Sequence, residues 1–157
     1  MKFNGEVPGP NVATLYLPRG DDKVLCIKAG AVLSYQEFHK VCPMPKPPMK
    51  RMKGQTQAVP DFDSKEYLSA MDTYSKFKTD WMAVQSLKAT PEITWDTVVP
   101  TQPETWGNYD KELEDAGFSE FERQRILGII MEANALNDRK IDEARETFLS
   151  GLTPQKP

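Results

Sequence analysis

Pro43, Pro45, Pro47 and Pro48 put four prolines into six positions, and this cluster constrains the chain more than any other feature. Each proline fixes its own φ, lacks a backbone N–H and disfavours helix in the residue before it, so neither a helix nor an inner strand runs through the stretch. It predicts extended polyproline II, a semi-rigid spacer without internal hydrogen bonds. With Lys46, Lys50, Arg51 and Lys53 it marks a Pro/Lys-rich linker over residues 42–60, and so a boundary. A small β-rich region (1–41) is expected before it and a helical domain (61–151) after it, with a polar tail (152–157) that frays. The fold class expected is α+β: a small N-terminal β hairpin region, the proline-rich linker, and a mainly α-helical C-terminal part made of one long helix and three short ones.

The N-terminal strands follow from alternation. Val12, Leu15 and Leu17 are apolar in the first run, and Leu25, Ile27, Ala29 and Ala31 in the second. Between them Pro18-Arg19-Gly20-Asp21-Asp22 is turn chemistry, so the two runs read as a hairpin. Arg19-Gly20-Asp21 also spells an adhesion motif, but without a secretion signal the turn is the better reading. A lone hairpin is marginal in water, so these strands need a third strand, a helix or a partner chain. Ser34 to Val41 is open to helix or strand; Ser34 with Glu37 favours a helix opened by a capping box.

Beyond the linker, Ser64 to Leu87 predicts a long helix, with Tyr67, Met71, Tyr74, Phe77, Trp81, Val84 and Leu87 recurring every three or four residues. The stripe is rich in aromatics and methionine, a composition that packs a core or adapts to a partner. Thr90-Pro91 ends it. Ile93 to Val99 is β-prone and either pairs with the N-terminal strands or runs extended, with Trp95 and Trp106 as loop anchors.

Residues Thr101 to Gly151 carry their own punctuation for three helices. Thr101 with Glu104 predicts a capping box around Pro103, and Gly117 a left-handed close. Ser119 with Glu122 repeats the box. Asn137 or Asp138 opens the last helix, along which Ile141, Ala144, Phe148 and Leu149 share a face. The three stripes are expected to bury one another as a small bundle.

The chemistry of catalysis is missing from this pattern. One histidine, His39, and two cysteines, Cys26 and Cys42, fall short of the four N/S ligands of a structural zinc site. Phosphate-loop, dinucleotide, zinc-protease and serine-hydrolase signatures are absent. No enzyme activity, catalytic residue, metal or cofactor is expected. The turn at Gly117-Phe118-Ser119 is compatible with a helix-turn-helix, but the flanking helices are acidic, so nucleic acid is not the expected partner. No apolar run approaches the ~20 residues that span a bilayer. Charge is uneven along the chain: residues 1–60 carry nine Lys/Arg against four Asp/Glu, and residues 61–157 eleven against nineteen. That reads as a basic arm or as two oppositely charged solvated surfaces.

One likeness goes further. Met82-Ala-Val-Gln-Ser-Leu-Lys, Trp95-Asp-Thr-Val-Val, Pro103-Glu-Thr-Trp, Glu112-Leu-Glu-Asp-Ala-Gly-Phe-Ser, Glu132-Ala-Asn-Ala-Leu and Ala144-Arg-Glu-Thr-Phe-Leu resemble small proteins of tailed-bacteriophage structural modules, tail assembly chaperones among them. The resemblance implies a non-enzymatic factor in the host cytoplasm that keeps a long helical tape-measure protein soluble while tail-tube subunits assemble. Its alternatives are a structural virion subunit of head, neck or tail, and a phage-encoded adaptor or inhibitor of a host protein. Other phage structural proteins are the expected partners, with homo-oligomerisation compatible and no membrane involved. Tyr74, Phe77 and Trp81 on the long helix, with Lys50, Arg51 and Lys53 on the linker, are the expected contact residues.

Overall fold

The alternating runs on either side of Pro18 to Asp22 fold as an antiparallel hairpin in this computed structural model, which describes residues 1–152. The tail from Thr153 to Pro157, expected to fray, lies outside the described residues. Strand β1 (Val12–Arg19) pairs with β2 (Lys23–Gly30) in a register that sets Leu15 opposite Ile27 and Tyr16 opposite Cys26. Asp21 and Asp22 both take positive φ, +62° and +59°, in the three-residue loop that joins the strands, a conformation that short acidic side chains tolerate.

The chain is α+β, and its residues gather into two units that interleave along the sequence. The first holds Met1–Leu33, Gln85–Thr94 and Leu113–Pro157; the second holds Ser34–Val84 and Trp95–Glu112. This grouping runs along a different line from the consecutive division by composition.

In the first unit the hairpin finds the helix it needs. Helix α5 (Glu120–Ala133) lies against both strands, burying Ile126, Ile129, Ile130 and Ala133 with Ala13, Leu17, Ile27 and Ala29. A 3₁₀ turn, Leu87–Ala89, packs Leu87 against β2. Each such leucine or isoleucine side chain taken from water contributes about 1.5–3 kcal/mol, and each alanine less. The Ser119 box forms as read: the Ser119 hydroxyl accepts from the Glu122 N–H, and the Glu122 carboxylate accepts from the Ser119 N–H. At the other end Asn134 ties three pieces of this unit together. Its carbonyl oxygen accepts from the Val32 N–H at 2.9 Å, and its amide donates to the buried Ser86 hydroxyl and to the Ile130 carbonyl, each at 2.8 Å. Helix α6 (Asp138–Leu152) follows, opened by the Asn137 side chain, which accepts from the Lys140 N–H.

The second unit is built on aromatic rings. Helix α1 (Gln36–Val41), most of helix α2 (Lys65–Ser86) and helix α3 (Pro103–Trp106) bring together Phe38, Tyr74, Trp81 and Trp106, with Phe38 touching the other three at centroid distances of 5.4–5.8 Å. Helix α4 (Asn108–Asp115) begins directly after Gly107, where a Cβ would come within 2.9 Å of the Asp80 carboxylate.

Five expectations need correction. Ser34 makes no capping box: α1 starts after Tyr35, which caps nothing by side chain, and the Ser34 hydroxyl accepts instead from the Gln36 N–H. Nor does Thr101: α3 starts after Gln102, and the Thr105 hydroxyl takes up the local bonding, accepting from the Val99 N–H at 2.8 Å. Both boxes sit one residue too early for the helix that forms. The linker is not extended throughout. Past Pro48 the backbone regains its N–H groups, Gly54 turns at positive φ, and two short strands, β3 (Met49–Lys50) and β4 (Val59–Pro60), pair. Ile93 to Val99 forms no strand; Glu112 holds the Asp96 and Thr97 N–H groups instead. Finally, the three C-terminal stripes do not bury one another, because α5 spends its stripe on the hairpin and α6 is exposed from Asp138 to Gly151.

Candidate contact surface

Helix α6 is an amphipathic element whose apolar side is left open. Ile141, Ala144 and Phe148 recur at helical spacing, and Phe148 is 67% exposed and Ile141 48%. The polar side carries its own i,i+4 and i,i+3 ion pairs, Arg139 to Glu143 at 3.1 Å and Lys140 to Glu143 at 3.5 Å. Such pairs hold a helix by only a few tenths of a kcal/mol, so α6 depends on its Asn137 start and these pairs rather than on packing. A phenylalanine and an isoleucine exposed along one helix face are the ordinary anchors of helix-in-groove recognition.

The sequence-derived contact residues are placed differently. Tyr74 and Trp81 are buried, and Phe77, half-buried, meets Trp106 edge-on at 6.2 Å. A contact through Tyr74 or Trp81 would require the ring cluster to open. Lys50 forms an ion pair with Asp61 at 3.2 Å beside the short β3–β4 pairing. Arg51 and Lys53 are exposed. The structure thus groups Tyr74, Phe77 and Trp81 on one aromatic core and leaves the linker cations on the surface. The α6 stripe, Ile141, Ala144, Phe148 and Leu149, is legible in the sequence as a periodicity, but the bundle core expected to cover it does not form. Nothing in the spacing distinguishes a covered stripe from an open one.

Titratable groups here are tied to structure. The Tyr109 phenol is pushed up to about 12 by burial, with the Asp80 and Asp110 carboxylates adding to it. Burial opposes ionisation of Glu112, but hydrogen bonds from the Thr97 hydroxyl and from the Asp96, Thr97 and Val98 backbone outweigh it and hold the carboxyl below its ordinary value. His39 is exposed, with the Tyr74 hydroxyl 3.5 Å from its Nδ1. Cys26 is exposed and Cys42 half-buried, its thiol pushed up by burial. Among the described residues no cluster of three or more His, Cys, Asp or Glu is placed to hold a metal ion, and no helix is long and apolar enough to cross a membrane.

Compared with protein-family models, curated proteins and solved structures, the chain matches none.

Proposed function

We propose that this chain works by contact, as a non-enzymatic phage morphogenesis factor: a tail assembly chaperone that binds a tape-measure or tail-tube protein in the host cytoplasm. The observation that carries the reading is the open apolar stripe of α6, centred on Ile141 and Phe148. The sequence likeness to phage structural modules gives the stripe its partner class. A long helical protein that must stay soluble before assembly offers apolar seams, and a short amphipathic helix covers such a seam reversibly. A contact made by one helix face is small, which suits a factor that leaves when assembly is complete.

The test is recovery of partners by the tagged chain from cells producing phage structural proteins, with purified particles probed for the same chain. The expected result is a long helical tail protein on the tagged wild type, loss of that protein from Phe148→Asp, and no chain in finished particles. Stoichiometric presence in particles would replace this reading with a structural virion subunit.

A further inference from the structure

The hairpin has two edges, and they are not equivalent. The Ala31 N–H donates to the Asn11 carbonyl at 2.9 Å, which sets the phase of the β1–β2 ladder. In an antiparallel pair the residues that bond the neighbour strand alternate with residues whose N–H and C=O point away from it. Residues 11, 13, 15 and 17 therefore face β2, whereas Val12, Thr14 and Tyr16 turn their backbone groups outward. On β2 the matching outward position is Lys28, opposite Thr14, and it is closed. The Thr90 hydroxyl accepts from the Lys28 N–H at 2.7 Å and donates to the Lys28 carbonyl at 2.8 Å. Among the described residues β1 has β2 as its one strand neighbour, and Val12, Thr14 and Tyr16 are all exposed.

We infer that β1 pairs antiparallel with β1 of a second copy of this chain, about a two-fold axis through Thr14, to give a continuous four-stranded sheet. An isologous contact must be self-complementary, and this strand is. Centred on Thr14, the pairing sets Thr14 against its counterpart and Val12 of each copy against Tyr16 of the other. Thr–Thr and aromatic–β-branched pairs are among the favourable cross-strand combinations. Pro10 and Pro18 stand four residues to either side of Thr14. Neither has an N–H to donate, so they bound the pairing window at 11–17 symmetrically, as a two-fold contact requires. A strand from a different protein would have no use for that symmetry. Seven residues per copy fall well short of the roughly 20–30 a side of a standard interface, so the dimer is weak and forms reversibly with concentration. The inference uses β1 and not α6, and stands apart from the chaperone reading.

Sedimentation velocity on the full chain from micromolar to millimolar concentration tests it. A reversible monomer–dimer equilibrium is expected. Thr14→Glu and Thr14→Lys, whose side chains stand on the exposed outer face and leave the fold intact by circular dichroism, should each weaken it roughly tenfold, through loss of the Thr–Thr pair and like charges across the axis. Mixing the two variants should restore association. With Cys26 and Cys42 both changed to serine, Thr14→Cys should give a disulfide-linked dimer on mild oxidation while Lys28→Cys does not, because facing residues lie within disulfide reach. A monomer at every concentration would leave the β1 edge to a strand of another protein and overturn the inference. So would a dimer indifferent to Thr14→Glu, which would point to the α6 face, or equal cross-linking of the two cysteine variants.

Discussion

Thr90 shows how much one side chain carries. It is 7% exposed, and its hydroxyl both accepts from and donates to the backbone of Lys28, a strand edge that would otherwise be unpaired. Thr90→Val keeps the shape and removes the hydroxyl, leaving two backbone groups unsatisfied. A loss of about 1–3 kcal/mol in denaturant unfolding is expected, largely recovered by Thr90→Ser. As its place before Pro91 predicts, Thr90 stops a helical segment, the 3₁₀ turn Leu87–Ala89; its bond to a residue 62 positions away is not legible in the sequence, because periodicity reports only local neighbours. Tyr109 makes a second prediction at this scale. Its raised phenol means that the neutral form is favoured in the folded chain. The stability it contributes is complete below the ordinary tyrosine value of 10.0 and is lost as pH rises towards about 12. Ultraviolet titration should show a late tyrosine near 12 that Tyr109→Phe removes.

Two helices of similar apolar spacing meet opposite fates. Helix α5 buries Ile126, Ile129, Ile130 and Ala133, and α6 leaves Ile141 and Phe148 in solvent. Ile130→Ala should cost about 2–5 kcal/mol, read as a lowered denaturation midpoint. Phe148→Asp should move the same midpoint by no more than about 0.5 kcal/mol. Equal destabilisation by the two would mean that α6 is packed and would remove the contact surface from the proposed function. The helices themselves were legible: the Ser119 box, the Gly117 close and the Asn137 start all act within one turn of chain, so the local residues suffice to specify them. Phe38 was not. It is 0% exposed at the centre of the ring cluster, yet it lies in a six-residue helix that the sequence left open between helix and strand. Its role comes from Tyr74, Trp81 and Trp106, which are distant in the chain.

At the scale of the whole molecule, charge behaves differently in space than along the chain. The first unit carries eleven Lys/Arg against thirteen Asp/Glu and the second nine against ten, so each is close to neutral. The basic first sixty residues and the acidic remainder are shared between the units, with Arg19 bonded to Glu122 in one and Lys50 to Asp61 in the other. Three carboxyls, Glu66, Glu112 and Glu122, are held below their ordinary values. At Glu122 the cause is first the Ser119 backbone N–H and then the Arg19 guanidinium. A lowered folded value contributes stability above the ordinary carboxyl value of 4.5 that is lost as pH falls through the folded one. Unfolding midpoints should therefore drop on the acid side of pH 4.5, and Glu112→Gln should flatten that limb.

What the sequence by itself determined is the α+β class, the hairpin with its Gly-Asp-Asp turn, the long helix and the caps of the last two helices, since each follows from residues within a few positions of one another. What only the tertiary structure decided is which apolar stripe is covered, which strand edge is blocked and which rings meet. Those depend on contacts between distant residues, such as Lys28 with Thr90 and Phe38 with Trp106, and a local pattern does not encode which surface will arrive to cover it.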